Sequence, residues 1–413
     1  MEVDYRFISE NAKADVDALR LRLHARGQLD KLTFSLLQIE ARQKTAKKLG
    51  LFNSCERFLY PTLLAAEQST HQAVAAYHAQ LIGEGQRVLD MTAGLGVDAF
   101  AIAMADNHVT AIELARDRFE ALEHNVGAIQ DAMPNRKLDL VAVHADSVAW
   151  LKEYSGNSFD AIFIDPARRD ASGGRTYFFA DCLPNVVENR QLLLNSAKRV
   201  YVKASPILDI DQALREMPEI VEIHIVSVRG ECKEVLCVMS PDHVGTPQIS
   251  VVDLEPEVTV DADTGLLTKP KTISAFHVSH DALGNNRAPL ASTADLVPGV
   301  LILDPNAGLH KLHAADELCR QFAGLKRLDR DSDLYLSQRE CEGFPGRSFR
   351  IESISDRKAL KRLKGARREI ISRNHPLTAE QLRRNFGLKS GSGQFLIATR
   401  VESQPVVVDA TRL

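Results

Sequence analysis

The chain lacks the features that mark secreted, zinc-stabilised and membrane-spanning proteins. Its 413 residues include only six cysteines, which are scattered and form no C-x-x-C pair, so neither a disulfide framework nor a zinc ribbon is indicated. No apolar run approaches the roughly 20 residues that a membrane-spanning helix needs. The first residues carry acids and no apolar core segment, so no signal peptide is recognisable. We therefore expect a cytoplasmic protein without a metal site, whose thiols are reduced and mostly buried.

An excess of basic charge is also missing from the chain as a whole. Asp and Glu number 55 against 51 Lys and Arg, and the formal net charge of −4 by itself disfavours a protein that coats nucleic acid. Residues 356–389, however, hold eleven basic and three acidic residues, a local net charge of +8 that leaves −12 on the rest of the chain. This density favours phosphate contacts over a merely solvated face, so we predict that the segment binds RNA.

The spacing of hydrophobic residues changes along the sequence and divides it into segments. With 45% hydrophobic and 26% charged residues, it has the composition of a soluble globular protein of several domains. Residues 1–82 follow a helical period and predict a helical N-terminal domain. In residues 83–245, short β-branched runs alternate with amphipathic helices, which predicts an α/β fold with a doubly wound, Rossmann-like parallel sheet. Two apolar runs around Arg229-Gly230-Glu231 predict that this sheet finishes in an antiparallel hairpin.

Beyond the α/β domain, the sequence predicts two smaller α+β domains, at 246–338 and 339–413. Residues 241–270 are rich in Pro, Asp and Gly, and we expect the chain to leave the α/β domain there. The phrase Asp304-Pro305-Asn306 is interpreted as a turn, because no glycine loop precedes it. In the last domain, Thr378 and Gln381 form a capping box that predicts the start of a helix.

The most informative motif is a glycine loop after the first predicted strand, Asp90-Met91-Thr92-Ala93-Gly94-Leu95-Gly96-Val97-Asp98-Ala99. Glycines let the backbone turn tightly between a strand and a helix, so that a ligand can approach the helix N-terminus. The spacing Gly-x-Gly-x-x-Ala alone also fits a dinucleotide site. Asp90 and Asp98 would repel a pyrophosphate, whereas S-adenosylmethionine carries an ammonium and a sulfonium group and no phosphate. The flanking acids therefore favour S-adenosylmethionine as the cofactor.

Acids at the ends of the next two strands agree with this cofactor. Glu113 ends the second strand, where a carboxylate can accept hydrogen bonds from both ribose hydroxyls. Asp146-Ser147 follows the third strand, where an acid can accept from the adenine amino group. The alternative is that such acids only cap the following helices, and for Asp146 this alternative stays open. We assign the cofactor site to Asp90, Thr92, Gly94, Gly96, Glu113, Asp146 and Ser147.

This order of motifs, with Asp165-Pro166 and the terminal hairpin after it, resembles class I S-adenosylmethionine-dependent methyltransferases over about residues 85–240. The glycine loop is especially similar to that of bacterial ribosomal RNA guanine-N2 methyltransferases. Outside this domain, the chain resembles a poorly characterised bacterial family that joins the methyltransferase to a ferredoxin-like module, here 246–338, and a THUMP-like domain, here 339–413. The phrases that carry this second resemblance are Tyr60-Pro61, Glu67-Gln68-Ser69, Asp304-Pro305-Asn306, Phe344-Pro345-Gly346-Arg347 and Arg373-Asn374-His375-Pro376. THUMP domains of other proteins bind transfer RNA, so the resemblance implies an RNA substrate, either tRNA or rRNA.

The reacting groups implied by the resemblance are those of Asp165-Pro166-Ala167-Arg168, after the fourth strand. In the amino methyltransferases that it resembles, the motif is Asp or Asn, Pro, Pro and an aromatic, and the carboxylate and a backbone carbonyl orient an exocyclic amine. This chain has Ala167 and Arg168 in place of the second proline and the aromatic. The group that would stack on the base is therefore missing from the motif.

Aromatic and basic residues close to the motif offer substitutes. Tyr177, Phe178 and Phe179 could stack a base, although such a cluster is more often part of a hydrophobic core. Arg168, Arg169 and Arg175 suit phosphate contacts, with a salt-bridged loop around Asp170 as the alternative.

Lys203, at the end of the next strand, raises a second possibility for the reaction. Together with Asp165 and either Glu231 or Glu234 it partly resembles the Lys-Asp-Lys-Glu set of ribose 2′-O-methyltransferases, in which a lysine lowers the pKa of the hydroxyl. Residues 58–82 offer no first lysine, so we rate ribose methylation below base methylation. Cys182 is interpreted as a buried thiol rather than a nucleophile.

The sequence thus predicts an S-adenosylmethionine-dependent methyltransferase that modifies a base amino group in structured RNA. We place Asp165, Pro166, Arg168 and Lys203 at the reacting site. Two alternatives remain open. One is an RNA-binding protein that keeps the cofactor pocket without turnover, and the other is a methyltransferase that acts on a ribose 2′-hydroxyl, a small molecule or a protein. The acids of the glycine loop disfavour a nicotinamide-dependent dehydrogenase.

Overall fold

A computed structural model describes residues 3–134, 136–168, 178–242, 245–284, 287–391 and 393–413. The chain divides into two compact units, which we describe separately. The N-terminal unit comprises Met1–Arg229, Lys233–Pro247 and Leu254–Ile273. The C-terminal unit comprises Gly230–Cys232, Gln248–Asp253 and Ser274–Leu413. No helix among the described residues is long and apolar enough to cross a membrane.

The first part of the N-terminal unit is helical, as predicted. Its helices are α1 (Tyr5–Glu10), α2 (Val16–Ala25), α3 (Leu29–Thr45), α4 (Gly50–Asn53), α5 (Leu63–Gln68) and α6 (Gln72–Ile82). Several begin at a side chain that accepts a hydrogen bond from an otherwise unpaired backbone N–H group, as Asp15 does for α2 and Thr62 for α5. Within the helical period of residues 1–82, α2 and α3 are separate helices with a break at Arg26-Gly27-Gln28.

An α/β sheet follows. Its elements are β1 (Arg87–Asp90), α7 (Val97–Met104), β2 (His108–Glu113), α8 (Arg116–Ala132), β3 (Leu140–His144), α9 (Ser147–Glu153), β4 (Phe159–Ile164), β5 (Ala167–Arg168), β6 (Cys182–Leu183), α10 (Arg190–Ser196), β7 (Ala197–Ala204), α11 (Ile210–Glu216), β8 (Ile220–Val228) and β9 (Glu231–Met239). Within this unit the strand order is β8-β9-β7-β4-β1-β2-β3. The strands from β7 to β3 are parallel to their neighbours, and β9 is antiparallel to β7. The predicted doubly wound sheet with a terminal hairpin is confirmed, and it brings the carboxyl ends of β1, β2, β4 and β7 to one edge.

Aromatic packing fixes the early helices against α7. Phe58 contacts Phe52, Tyr60 and Phe100 with ring centroids 5.6, 5.4 and 6.2 Å apart. All four side chains are buried. Burial of each such side chain contributes about 1.5–3 kcal/mol relative to exposure. The same helix α7 carries Asp98, so this cluster holds an acid of the glycine loop in place.

From residue 248 onward, strands and short helices alternate, and the pairing is mostly antiparallel, although the strands at 369–372 and 394–401 are parallel to each other with a helix between them. The elements are β10 (Gln248–Leu254), β11 (Thr272–Ser279), β12 (Leu301–Pro305), α12 (Ala307–Leu312), α13 (Ala315–Gln321), β13 (Lys326–Arg327), β14 (Tyr335–Ser337), β15 (Gly346–Ile354), α14 (Arg357–Arg362), β16 (Glu369–Ser372), α15 (Ala379–Phe386), β17 (Gln394–Val401) and β18 (Gln404–Arg412). In the C-terminal unit, β12 to β18 form one sheet of order β13-β14-β12-β15-β18-β17-β16. Strands from both sides of residue 338 share this sheet, because β12 pairs with β15 in antiparallel register. The division into two modules at 338 and 339 stays a prediction.

Two local interpretations of the sequence differ from the structure here. Asp304-Pro305-Asn306 is not a simple turn, because Asp304 and Pro305 end β12 and Asn306 caps α12 by accepting a hydrogen bond from the Leu309 N–H group. Strand β10 lies inside the segment that we expected to be irregular, since the surrounding Pro and Gly residues obscured its apolar run. The predicted capping box of Thr378 and Gln381 is present at the start of α15.

Candidate active site

The glycine loop joins β1 to α7, and two of its glycines adopt backbone conformations that favour glycine. Gly94 has a φ of 54° and Gly96 a φ of 89°. A Cβ atom on Gly96 would lie 2.5 Å from the Cδ1 atom of Leu122 and 2.6 Å from the Cε2 atom of Phe100. The loop is therefore packed against the following helices as closely as its backbone permits.

We expect Gly96→Ala to lower the free energy of unfolding by about 2–4 kcal/mol, because left-handed backbone strain adds to overpacking. Gly27→Ala is the matched control, since Gly27 lies just after α2 with a φ of 63° and has no atom within 4 Å of the position of a Cβ. Denaturant unfolding of both variants measures the difference. Equal losses would show that crowding at the loop contributes nothing.

Glu113 ties the loop to the neighbouring strand. Its Oε2 atom accepts a hydrogen bond from the Gly94 N–H group at 2.8 Å, and its Oε1 atom accepts one from the Ala115 N–H group at 2.7 Å. Each carboxylate oxygen keeps a second lone pair that a hydroxyl could use. Asp146, in contrast, is exposed and caps α9 by accepting from the Ala149 N–H group at 2.8 Å, which is the structural alternative considered above. Ser147 is buried at the first position of α9.

Asp90 lies at the end of β1 and is buried, with Oδ1 accepting from the Thr92 N–H group at 3.0 Å. Burial raises the pKa of Asp90 well above its usual range, and the negative charges of Asp98, Asp165 and Glu113 act in the same direction. A buried carboxylate among other carboxylates is costly unless a cation comes close. The residues present therefore fit a ligand with an ammonium or sulfonium group, which S-adenosylmethionine has.

Asp165 is held from two sides where β4 ends. Its backbone N–H group donates to the Oγ1 atom of Thr92 at 2.7 Å, which connects the Asp165-Pro166 motif to the glycine loop. Its Oδ2 atom lies 2.6 Å from the Nζ atom of Lys203, whose side chain is only 12% exposed against 41% for Asp165. The carboxylate is thus fixed by an almost buried ammonium while one side of it faces solvent. Thr92, which we assigned to the cofactor, here positions the reacting motif.

Lys203 belongs to a buried chain of charged groups that the sequence did not reveal in full. Its Nζ atom also donates to the Oγ1 atom of Thr70 at 2.9 Å and lies 3.9 Å from the Oε2 atom of Glu234. Burial lowers the pKa of Lys203, but the charges of Asp165, Glu234 and Asp98 outweigh it and raise the pKa. The lysine is therefore a fixed cation, and Glu234 rather than Glu231 is its acidic neighbour on β9.

His78, on α6, continues this chain and is fully buried. Its Nε2 atom lies 2.5 Å from the Oε1 atom of Glu234, and its Nδ1 atom lies 2.8 Å from the Oδ1 atom of Asp98. The Oδ2 atom of Asp98 accepts a hydrogen bond from the hydroxyl of Thr70. Burial lowers the pKa of His78, but the charge of Glu234 and the bonds to Asp98 and Glu234 raise it to about 9. His78 thus bridges two buried carboxylates, one of which, Glu234, is also the neighbour of Lys203.

A second lysine is electrostatically coupled to the site. Lys48, between α3 and α4, donates from Nζ to the backbone oxygen of Glu67 at 2.6 Å. Burial lowers its pKa to about 8, and the positive charges of Lys203 and Lys233 contribute to the lowering. We searched residues 58–82 for the first lysine of a ribose-type set, whereas the coupled lysine lies before that range.

The structure describes some of the residues that follow the Asp165-Pro166 motif, and others lie outside the described residues. Arg168 lies in β5, which pairs with Cys182 and Leu183 of β6. Phe179 is fully buried, as the core interpretation predicts, and Cys182 is a buried thiol. Arg169, Asp170, Gly173, Gly174, Arg175 and Tyr177 lie outside the described residues. Among the residues that the structure describes, no cluster of His, Cys, Asp and Glu suits a metal ion.

The basic segment lies in the C-terminal unit, on α14, β16 and α15 and in the loops around them. Leu360, Leu382 and Leu388 anchor it in a hydrophobic cluster with Leu396 of β17. The basic residues that are exposed are Arg357, Lys358, Lys361, Arg362, Lys364, Arg367, Arg373, Arg384 and Lys389. The segment therefore presents its positive charge to solvent while its leucines face inward.

Comparisons with known proteins agree with this architecture. Residues 346–412 match the family model described as THUMP domain-like. The chain is 30% identical over 83 residues to the ribosomal RNA small subunit methyltransferase J of Alteromonas mediterranea, covering 20% of this chain and 32% of that protein. It is 33% identical over 92 residues to the protein of the same name from Laribacter hongkongensis, covering 19% of this chain and 29% of that protein. The chain thus spans about a third of the length of these curated relatives.

A solved structure matches the chain along nearly its full length. It is a crystal structure from Porphyromonas gingivalis W83 to which a methyltransferase activity is ascribed, with a TM-score of 0.79 and 25% identity. The match covers 99% of this chain and 97% of that one. Together with the doubly wound sheet, the glycine loop and the family match at residues 346–412, it gives the chain the architecture of a class I methyltransferase with a THUMP-like C-terminal domain.

Proposed function

We propose that the protein is an S-adenosylmethionine-dependent methyltransferase that methylates an exocyclic amino group of a base in structured RNA. The observation that carries this proposal is the ion pair between Asp165 and Lys203, which fixes a carboxylate at the end of β4 beside the acidic glycine loop. The similarity to ribosomal RNA methyltransferases supports an RNA substrate.

The cofactor-binding part of the proposal rests on the edge formed by β1 and β2. Asp90 would pair with a cationic group of the cofactor, and the free lone pairs of Glu113 would accept the ribose hydroxyls. Gly94 leaves open space at the loop, since a Cβ atom there would meet only the Thr92 backbone oxygen at 3.9 Å, and Gly96 lets the loop pack on Leu122 and Phe100. S-adenosylmethionine, when bound, supplies a methyl group activated by a sulfonium.

The acceptor would meet Asp165. The side of its carboxylate that is not paired with Lys203 would accept an N–H of the amine, and the carbonyl oxygen of Pro166 would accept the other, which aims the nitrogen lone pair. Asp165 can also take the proton that the amine loses as the new bond forms. Lys203 acts through Asp165 as a positioning residue, because its ammonium keeps the carboxylate charged and oriented.

One observation favours a second candidate, methylation of a ribose 2′-hydroxyl. Asp165, Lys203 and Glu234 lie together and would supply three members of a Lys-Asp-Lys-Glu set, and Lys48, whose pKa is lowered partly by the charge of Lys203, would be the candidate for the fourth. In that reaction the two ammonium groups would stabilise the developing alkoxide. Nucleoside composition separates the two candidates, because base-methylated and 2′-O-methylated nucleosides differ in mass-spectral fragmentation.

Two measurements test the proposal. The first is mass spectrometry of modified nucleosides from total RNA with and without the gene, and we expect one base-methylated nucleoside to disappear from the deletion strain. The second is calorimetric titration of S-adenosylmethionine into the purified protein. Binding without any lost nucleoside would leave either an RNA-binding protein without turnover or a methyltransferase that acts on a small molecule or a protein, whereas the absence of binding would refute the enzyme assignment.

Asp90 gives a prediction for this titration. We expect Asp90→Asn to weaken cofactor binding about 10- to 100-fold, because a hydrogen bond to a charged group is lost. The thermal unfolding midpoint of Asp90→Asn should be equal to or higher than that of the wild type. The raised pKa of Asp90 means that burial disfavours the charged carboxylate, and asparagine carries no charge. Asp160→Asn, at the start of β4 and paired with Lys198, is the control that should bind normally.

The pH dependence of the same titration follows from the raised pKa of Asp90. A cationic ligand favours the ionised carboxylate, so binding should release a proton and should tighten as the pH rises through the raised pKa. Calorimetry in two buffers of different ionisation enthalpy measures that proton. Proton uptake, or none in both wild type and Asp90→Asn, would contradict the role of Asp90.

A further inference from the structure

Three separate sequence phrases of the C-terminal unit meet at one buried carboxylate. Asp304 ends β12 with only 1% of its side chain exposed. Its Oδ2 atom lies 2.5 Å from the Nη2 atom of Arg347 on β15. Its Oδ1 atom lies 3.6 Å from the Nε atom of Arg373, which directly follows β16, and 3.1 Å from the Nε2 atom of His310. Neither the proposed active site nor the cofactor site accounts for this convergence, because both lie in the other unit.

The backbone around Asp304 is built for this contact. Asp304 and Arg347 are opposite each other in the antiparallel pair of β12 and β15. Gly346 makes the approach possible, since a Cβ atom there would lie 2.3 Å from the backbone oxygen of Asp304 and 2.7 Å from the Cα atom of Pro305. The N–H group of Asn306 donates to the backbone oxygen of Pro345 at 2.9 Å, which locks the two phrases together.

Positive charge exceeds negative charge in the cluster. His310 also lies 3.5 Å, through Nδ1, from the Oδ2 atom of Asp333. Burial lowers the pKa of His310, but its bonds to Asp304 and Asp333 raise it above the ordinary value. The cationic groups are Arg327, Arg347, Arg373 and His310, and the carboxylates are Asp304 and Asp333. A single cationic partner is enough to pair a buried aspartate, so the second arginine at Asp304 must have another role.

The two arginines of the cluster keep donors for a ligand. The side chains of Arg347 and Arg373 are 39% and 44% exposed, although the Nη2 atom of Arg347 is hydrogen-bonded to Asp304 and the Nε atom of Arg373 forms a longer ion pair with it. Planar guanidinium groups with fixed orientation are well suited to phosphate oxygens.

We propose that Arg347 and Arg373, oriented by Asp304, form a phosphate-binding site for the RNA backbone. This inference rests on the RNA substrate proposed above and adds where the C-terminal unit holds it. Arg373 is also one of the basic residues of the segment 356–389, so the site belongs to the same positively charged part of the sequence. The other exposed basic residues of that segment would contribute general attraction, whereas this cluster gives a fixed point of contact.

Fluorescence anisotropy with a labelled single-stranded RNA oligonucleotide and a labelled RNA hairpin tests the site over a range of salt concentrations. We expect Arg347→Gln and Arg373→Gln each to weaken binding about tenfold. Each should also reduce the slope of log K against log salt for the single strand by about 0.7, the value for one lost phosphate contact. Arg350→Gln is the matched control, because Arg350 lies on the same strand, is 48% exposed and pairs with Glu340 instead. An equal effect of Arg350→Gln would overturn the proposal.

Asp304→Asn separates an organised site from net charge. The substitution makes the protein more positive, so binding should strengthen if charge alone decides it and weaken if Asp304 orients the arginines. Stronger binding would overturn the proposal. If Asp304→Asn does not fold, Arg373→Gln still tests the phosphate site. The ion pair between Arg373 and Asp304 is longer and more exposed than the pair with Arg347, so its loss should leave the fold intact. S-adenosylmethionine titration of each variant should match the wild type, which distinguishes failure of this site from failure of the proposed enzyme.

Discussion

Lys203→Met is expected to reduce the rate constant for methyl transfer by about 10²- to 10³-fold, the loss typical for a preorganised charged group at a reacting site. The Nζ atom of Lys203 lies 2.6 Å from Asp165 and 3.9 Å from Glu234, so its removal leaves two carboxylates without their shared cation. Asp165 would lose its fixed orientation toward the acceptor. Because Lys203 is not placed at the cofactor loop, the KM for S-adenosylmethionine should change little while kcat falls.

Single-turnover transfer of a labelled methyl group to the RNA identified by nucleoside analysis measures this effect. Lys198→Met is the matched control, since Lys198 lies on the same strand β7 but is exposed and pairs with Asp160. Lys203→Arg keeps the charge and should recover part of the rate. A normal rate for Lys203→Met, or an equal loss for Lys198→Met, would contradict the positioning role.

His78→Gln is expected to lower the free energy of unfolding by about 3–5 kcal/mol, because it removes one partner of a buried ion pair and leaves two carboxylates facing a neutral group. The imidazole is fully buried between Asp98 and Glu234. Denaturant unfolding followed by circular dichroism measures the loss. His108→Gln is the control, because His108 pairs with Asp139 at 2.5 Å on the surface, where such a pair contributes about 0–1 kcal/mol.

The same variant gives a pH dependence with a definite sign. The pKa of His78 is raised to about 9 in the folded protein from an ordinary value of 6.5. The stabilisation from protonated His78 is therefore complete below pH 6.5 and is lost as the pH rises through about 9. The difference in unfolding free energy between wild type and His78→Gln should shrink over that range. A constant difference would show that His78 is neutral.

The parts of the site that the sequence predicted are those that sit next to strand ends. Asp90, Glu113 and Asp165 follow apolar β-branched runs, and parallel strands bring their carboxyl ends to one edge of the sheet. The local sequence pattern was therefore sufficient to predict that these three acids lie at the same edge. Thr70, His78 and Lys48 were missed because they lie on or near helices before the sheet. Thr70 and Lys203 are 133 residues apart in sequence, and no local pattern announces such a contact.

In the C-terminal unit, the sequence predicts individual strands and helices, but it does not predict which strands pair with each other. The apolar runs at 394–400 and 405–408 around a polar turn predict two strands, which correspond to β17 and β18, and the capping box predicts the start of α15. Asp304 and Arg347 are 43 residues apart, and only the register of β12 on β15 places them opposite each other. We interpreted Asp304-Pro305-Asn306 as a turn because no glycine loop precedes it, and a buried aspartate is recognisable only when its partners are known.

The shared sheet of the C-terminal unit has a consequence for how this protein can be divided. Residues 346–412 match a family model by sequence, yet their first strand, β15, has β12 as a hydrogen-bonded neighbour. A recombinant fragment that starts at Gly346 would have an open strand edge and would lose Ile302 from its core cluster, a combination that promotes aggregation. A fragment for ligand screening should therefore begin before Gln248, so that it keeps β10 and β11 as well as the sheet from β12 to β18. By the same reasoning, a transfer of residues 346–412 into another protein would have to include β12 as well, so the segment that can be exchanged is longer than the segment that matches the family model.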